Sequence, residues 1–249
     1  MEDSEQPFIS HLVELRTRLI HIIVAVVLLF AGMAAYANEI YSYLAGPLLK
    51  HLPVGSQMIA IEVASPFLIP LKLTLFVALF VAIPYILYQA WAFIAPGMYQ
   101  HEKKFALPLL MASIILFYTG AGFAYYVVFP IVFGFIAVTA PSGVAVMTDI
   151  SHYLDFVLTM FVAFGVSFEV PIVVILLVWS GVVTRESLVD KRPYAIVLAF
   201  VIGMVLTPPD VISQTLLALP IWMLFEIGLL LSRMFLPRDD SRMREEAGV

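Results

Sequence analysis

The sequence predicts an all-α integral membrane protein, a bundle of six transmembrane helices, on three observations. Of its 249 residues 62% are hydrophobic and only 12% charged, and mean hydropathy is +1.02, whereas soluble domains run near a quarter charged. The apolar residues gather into six segments bounded by charge or by Pro and Gly. The basic residues fall almost wholly on one side of those segments, as the positive-inside rule requires.

The first apolar segment, Leu19–Tyr36, follows the acidic stretch "MEDSEQPFISHLVEL". An A-x-A pattern at Ala35–Ala37 would suit a cleaved leader. The run is nevertheless longer than the roughly 7–15 residues of a leader's apolar core, so an uncleaved first helix is expected. Phe67–Phe93, Phe105–Phe129 and Tyr153–Gly181 are each long enough for ~30 Å of hydrocarbon. The fifth, Tyr194–Leu206, gives only about 20 Å of helix before "TPPD" (Thr207–Asp210) stops it. The sixth is Val211–Leu231, so the last two segments read as a short hairpin. Two loops, Ala37 to Pro66 and roughly Pro130 to His152, form an outer cap. One domain over 1–236 and a disordered polar tail over 237–249 complete the expected organisation.

With a cytoplasmic N-terminus, all but two of the 13 Lys and Arg are cytoplasmic; the exceptions are Lys50 and Lys72. The basic tail must then lie on the same side, so the number of crossings is even, and six fits.

Composition and motifs exclude several function classes. The chain has no cysteine, which removes disulfides, Cys-ligated zinc and thiol chemistry. A net charge of −5 offers no basic surface to nucleic acid. "HEKKF" lacks the second histidine of a zinc-protease motif, because Phe105 stands there. "GVSFE" places Glu169 where a nucleophile elbow needs glycine. No Walker sequence is present. Neither enzyme, metal nor cofactor is expected.

Three acidic residues remain to be explained. Glu14 in "HLVELRTRL" and Glu102 in "HEKK" both lie beside positive charges. Glu14 and Arg18 stand four apart, a modest local pair on a helix, and Glu102 has lysine neighbours. Alternatively, both carboxylates face one groove and hold an incoming guanidinium, which meets a carboxylate through two parallel hydrogen bonds. Glu169 lies roughly 18 Å along its helix from Gly181, near mid-bilayer, where ionisable groups are rare and usually functional. Pro171 lacks the N–H that would bond the Ser167 carbonyl, so charge, hydroxyl and carbonyl share one turn. A protonated glutamate inside the bundle, a polar patch in a groove, and the proton site of a secondary transporter are its possible roles. Such transporters show matched broken helices in two repeats, and no repeat is apparent here. Glu226 and Asp155 read as interfacial charges.

"HLVELRTRL", "ASPF", "YQAWAFIAPGMYQHEKK", "AFGVSFEVPIV", "KRPY" and "LTPPDVISQ", in this order over residues 6 to 236, closely resemble the TatC family, the multispanning subunit of the twin-arginine protein translocase. The resemblance implies a cupped, glove-like bundle with short fifth and sixth helices in the bacterial cytoplasmic (inner) membrane. It implies a receptor for twin-arginine signal peptides that exports folded proteins with the single-span partners TatA and TatB, self-associates, and depends on proton-motive force. Carried over by residue, the signal-peptide site falls on Glu14, Glu102, Arg16 and Phe93. The partner-contact region falls on Met204, Thr207 and Gln214, the outer cap includes Pro47 and Asp210, and Glu169 becomes an intramembrane polar contact.

Overall fold

The structure, a computed structural model, describes residues 5–49, 57–94, 103–139, 147–206 and 211–235. Glu102, Thr207, Asp210 and the 237–249 tail lie outside these residues. The chain divides into two compact units, Met1–Gly165 and Val166–Val249.

In the first unit, α1 (Glu5–Ala34) turns into α2 (Ala37–Leu49), and the strand β1 (Gln57–Ile59) leads into α3 (Ser65–Ile94). Next come α4 (Lys103–Phe123), a π-helical turn (Ala124–Val128), α5 (Phe129–Thr139), β2 (Met147–Asp149) and α6 (Ile150–Ser167). The second unit holds α7 (Val170–Trp179), α8 (Arg185–Asp190), α9 (Arg192–Leu206) and α10 (Val211–Phe235).

Five helical stretches are long and apolar enough to cross a membrane: His11–Ala34, Ser65–Ile94, Ala106–Phe135, Ile150–Trp179 and Gln214–Arg233. The chain is thus a multi-pass membrane protein. The short fifth segment appears as α9, of 15 residues. The expected short sixth helix does not: α10 has 25 residues, about 37 Å, and runs past Leu231 to Phe235.

Three further expectations are corrected. The two cap loops are partly helical, holding α2 and α5, and they are joined by a small parallel ladder, Gln57↔Met147 to Ile59↔Asp149. The third span does not stop at Phe129 but passes through the π-helical turn into α5. The fourth is interrupted, with Phe168 and Glu169 forming a turn between α6 and α7. Pro171, in the first turn of α7, accounts for the break, since its ring clashes with the carbonyl four residues back.

Packing in the first unit centres on α3. Ile69 and Leu73 meet Leu154 and Leu158 of α6, with Tyr41 of α2 against them; that burial pushes the Tyr41 phenol above its ordinary value. Further along, Phe80 meets the rings of Phe117 and Phe161. Pro84 has no N–H to give the Phe80 carbonyl, and the Tyr118 hydroxyl of α4 donates to it at 2.9 Å. Gly165 lets α6 approach: a Cβ there would lie 2.6 Å from the Phe117 ring.

Within the second unit, α10 lies against α7 and α9. A Cβ on Gly228 would stand 2.9 Å from Pro171 Cα, so only glycine permits that approach. Arg192 pairs with Glu226 at 2.7 Å, and Arg185 Nε donates to the Leu229 carbonyl at 3.2 Å. Small residues and interhelical polar bonds do here what the hydrophobic effect cannot do between helices in lipid.

Candidate functional site

A polar constellation forms where α1 begins and α3 ends, built by helical periodicity on both sides. On α1, His11, Glu14 and Arg18 stand at i, i+3 and i+7, which is one face of a helix. On α3, Tyr85, Gln89 and Phe93 stand at i, i+4 and i+8, again one face. The helices run antiparallel, so the stripes match in reverse order. His11 stacks on Phe93 with ring centroids 4.1 Å apart and planes 24° apart. Arg18 meets Gln89, its NH1 donating to Gln89 Oε1 at 3.1 Å.

The Glu14 carboxylate is engaged by its own helix. Arg18 donates to Glu14 Oε1 from Nε at 2.9 Å and from NH2 at 2.5 Å. Behind the pair, Gln89 Nε2 donates to the Tyr85 hydroxyl at 2.7 Å. Four side chains therefore form one line, Tyr85–Gln89–Arg18–Glu14. Gln89 is 7% exposed, while the side chains of Arg18 and Glu14 are 22% and 34% exposed. Within the line, the buried amide of Gln89 backs the partly exposed Arg18–Glu14 pair.

The predicted residues distribute as follows. Glu14 and Phe93 come together on this surface. Arg16 is exposed and lies two residues from Glu14, off the shared face. Glu102, their expected companion, lies outside the described residues. Pro47 falls in α2. Met204, on α9, is exposed. Gln214 is used internally, its Nε2 donating to the Phe200 carbonyl at 2.9 Å while its side chain packs over Gly203. Thr207 and Asp210 lie outside the described residues. Glu169 sits in the turn between α6 and α7, where its N–H donates to the Val166 carbonyl at 3.0 Å and its carbonyl accepts from Val173. Glu226 and Asp155 carry salt bridges to Arg192 and Lys72.

Gln89, Tyr85 and His11 were not singled out by sequence reasoning. The i, i+4, i+8 spacing of two polar-capable residues and Phe93 at the end of an apolar run was the available signal. Among the described residues no group of His, Cys, Asp or Glu could hold a metal ion.

Similarity to known proteins agrees with these motifs. The sequence profile described as "Sec-independent protein translocase protein (TatC)" matches residues 10–220. A Haemophilus influenzae Sec-independent protein translocase protein TatC is 57% identical over 238 residues, covering 96% of this chain and 93% of its own. The Escherichia coli K12 protein of the same name is 56% identical over 246 residues, covering 99% and 94%. Among solved structures, a crystal structure of the twin arginine translocase receptor TatC aligns with a TM-score of 0.79 at 40% identity. That alignment covers 90% of this chain and 99% of the other.

Proposed function

The chain belongs to the TatC family of Sec-independent protein translocases, and from that premise we propose that the α1–α3 surface receives signal peptides bearing two consecutive arginines. TatC is a non-enzymatic transport component, so recognition rather than catalysis is the task of its polar residues. In this reading the membrane is the bacterial inner membrane, both termini face the cytoplasm, and folded cargo is handed on with TatA and TatB under proton-motive force.

One observation carries the reading: Glu14 already holds a guanidinium, that of Arg18, through two N–H donors. A carboxylate with this reach, at the rim of a membrane helix, is chemically suited to the guanidinium of a peptide. Phe93, stacked with His11, supplies an apolar plane beside it, on which an arginine or the first apolar residue of the peptide can rest. Glu102 adds the second carboxylate. Met204, Thr207 and Gln214, with Glu169, serve the single-span partners, and Pro47 and Asp210 belong to the outer cap.

The test is a pull-down of the purified full chain with a labelled twin-arginine peptide, with and without the two partner subunits. Glu14→Ala combined with Glu102→Ala should lose the peptide, while the protein still inserts in the membrane. Glu169→Ala should keep the peptide and lose partner association. Unchanged peptide capture by the double variant would remove the site.

A further inference from the structure

We propose that Arg18 is a resident occupant of the guanidinium site, an internal competitor that the peptide must displace and that thereby sets specificity for arginine. The inference rests on the reading of Glu14 just given, and it assigns Arg18 and Gln89 roles beyond it.

The geometry points to exchange rather than to simple bracing. Both Arg18 donors converge on one carboxylate oxygen, Oε1. A fork-to-fork pair instead places one donor on each oxygen and is the stronger arrangement. The resident pair is thus an inferior version of what an approaching peptide guanidinium can make. It is also local, spanning one helical turn, so among the described residues opening it disturbs no tertiary hydrogen bond or ion pair of Glu14.

Gln89 keeps the displaced side chain from being lost. Its buried amide is oriented on one side by the Tyr85 hydroxyl at 2.7 Å and presents Oε1 to Arg18 NH1. Arg18 can release Glu14 and stay attached to α3, with its freed donors turning to water or lipid phosphate.

Specificity follows from the comparison of cations. An ammonium replacing Arg18 would trade two charge-assisted bonds for a point charge with no matching fork. A guanidinium replaces like with better. With Arg18 in place, the carboxylate is therefore shielded from lysine-bearing segments, which are abundant near any inner membrane surface.

The experiment measures the affinity of the full chain, in detergent micelles, for two labelled peptides that differ only in an Arg–Arg or Lys–Lys pair. Arg18→Gln should bind the arginine peptide about three- to fivefold more tightly, the scale of a partly exposed ion pair. It should gain more for the lysine peptide, so that discrimination between the two falls. Gln89→Leu, which removes the partner that holds the displaced Arg18, should instead weaken binding of both peptides. The gain should vanish when Arg18→Gln is combined with Glu14→Gln. Weaker or unchanged binding with Arg18→Gln, or undiminished discrimination, would overturn the proposal and make Arg18 a brace for Glu14. If Arg18→Gln does not accumulate, Arg18→Met decides in its place, tighter binding with reduced discrimination upholding the proposal and anything else overturning it. Glu14→Gln alone separates the two levels: normal binding there would bring down the site itself, whereas a loss there without a gain from Arg18→Gln removes only the competitor.

Discussion

The two ends of α3 both carry polar side chains, yet they use them in opposite ways. At the N-terminal end, Ser65 meets Ser151 at 2.9 Å across 86 residues of sequence, and Lys72 pairs with Asp155 across 83. The β1–β2 ladder runs beside them, and Asp149, at its end, accepts from the Ser151 N–H. These contacts link distant segments, so breaking them loosens the tertiary structure. At the C-terminal end, α3 offers only the neutral amide of Gln89 to Arg18 across 71 residues, and the charged pair beside it, Arg18 with Glu14, lies four residues apart on α1. Opening it changes a rotamer and leaves the fold alone. The polar cluster beside the β1–β2 ladder is built from long-range pairs, and the proposed peptide site from a local pair on a neutral, buried backstop.

That contrast can be broken or sharpened by substitution. The largest expected effect is on recognition. Exchanging the peptide's arginine pair for lysines should weaken binding to the native chain about tenfold, or ~1.4 kcal/mol, because the forked hydrogen bonds are lost. Equal affinity would reduce the C-terminal end of α3 to plain charge attraction. Next, Ser65→Ala should lower thermal stability in detergent by about 1 kcal/mol, since Ser65 is buried and its loss strands Ser151. Peptide affinity should not change. The smallest effect is expected from Lys72→Ala, about 0.5 kcal/mol, because the pair with Asp155 is half exposed and exposed pairs contribute little. Exchanging the charges, Lys72→Asp with Asp155→Lys, should restore the midpoint. A change in peptide binding from either N-terminal substitution would show that the two ends are not independent.

Much of the architecture was legible because lipid imposes a simple rule: spans must be long, apolar and internally hydrogen-bonded. Hydropathy therefore located the spans, and the shortness of α9 could be read from "TPPD" directly. The errors arose where local backbone chemistry overrides hydropathy. Pro171 in the sequence implies a freed Ser167 carbonyl, but its larger effect is the break at Phe168 and Glu169. In "GFAYYVVFP" the one local signal of the π-helical turn at Ala124–Val128 is Pro130, whose ring and missing N–H disturb the bond to the Tyr126 carbonyl, and hydropathy does not register it. The helices within the cap were missed because short apolar patches between Pro and Gly do not reveal a period.

The Glu14–Arg18 pair is legible from its spacing and is present in the structure, whereas Glu14 and Phe93 are named as site residues by the family resemblance alone. The meaning of the pair was not legible, since a local pair and a ligand site looked like rivals. The proposed exchange reconciles the two, with the observed local pair as its starting state. Gln89 was illegible as a participant because a lone glutamine in an apolar helix has many possible partners. Only the antiparallel registry of α1 and α3 selects Arg18 and Tyr85.

The most direct test is a double-mutant cycle between the protein and the peptide. Affinities are measured for the native and Glu14→Gln chains, each against the Arg–Arg and Lys–Lys peptides. Direct guanidinium–carboxylate contact predicts a coupling of about 1 kcal/mol, most of the tenfold preference for arginine, with that preference largely gone in Glu14→Gln. A coupling near zero, with arginine still preferred when the carboxylate is absent, would contradict the account.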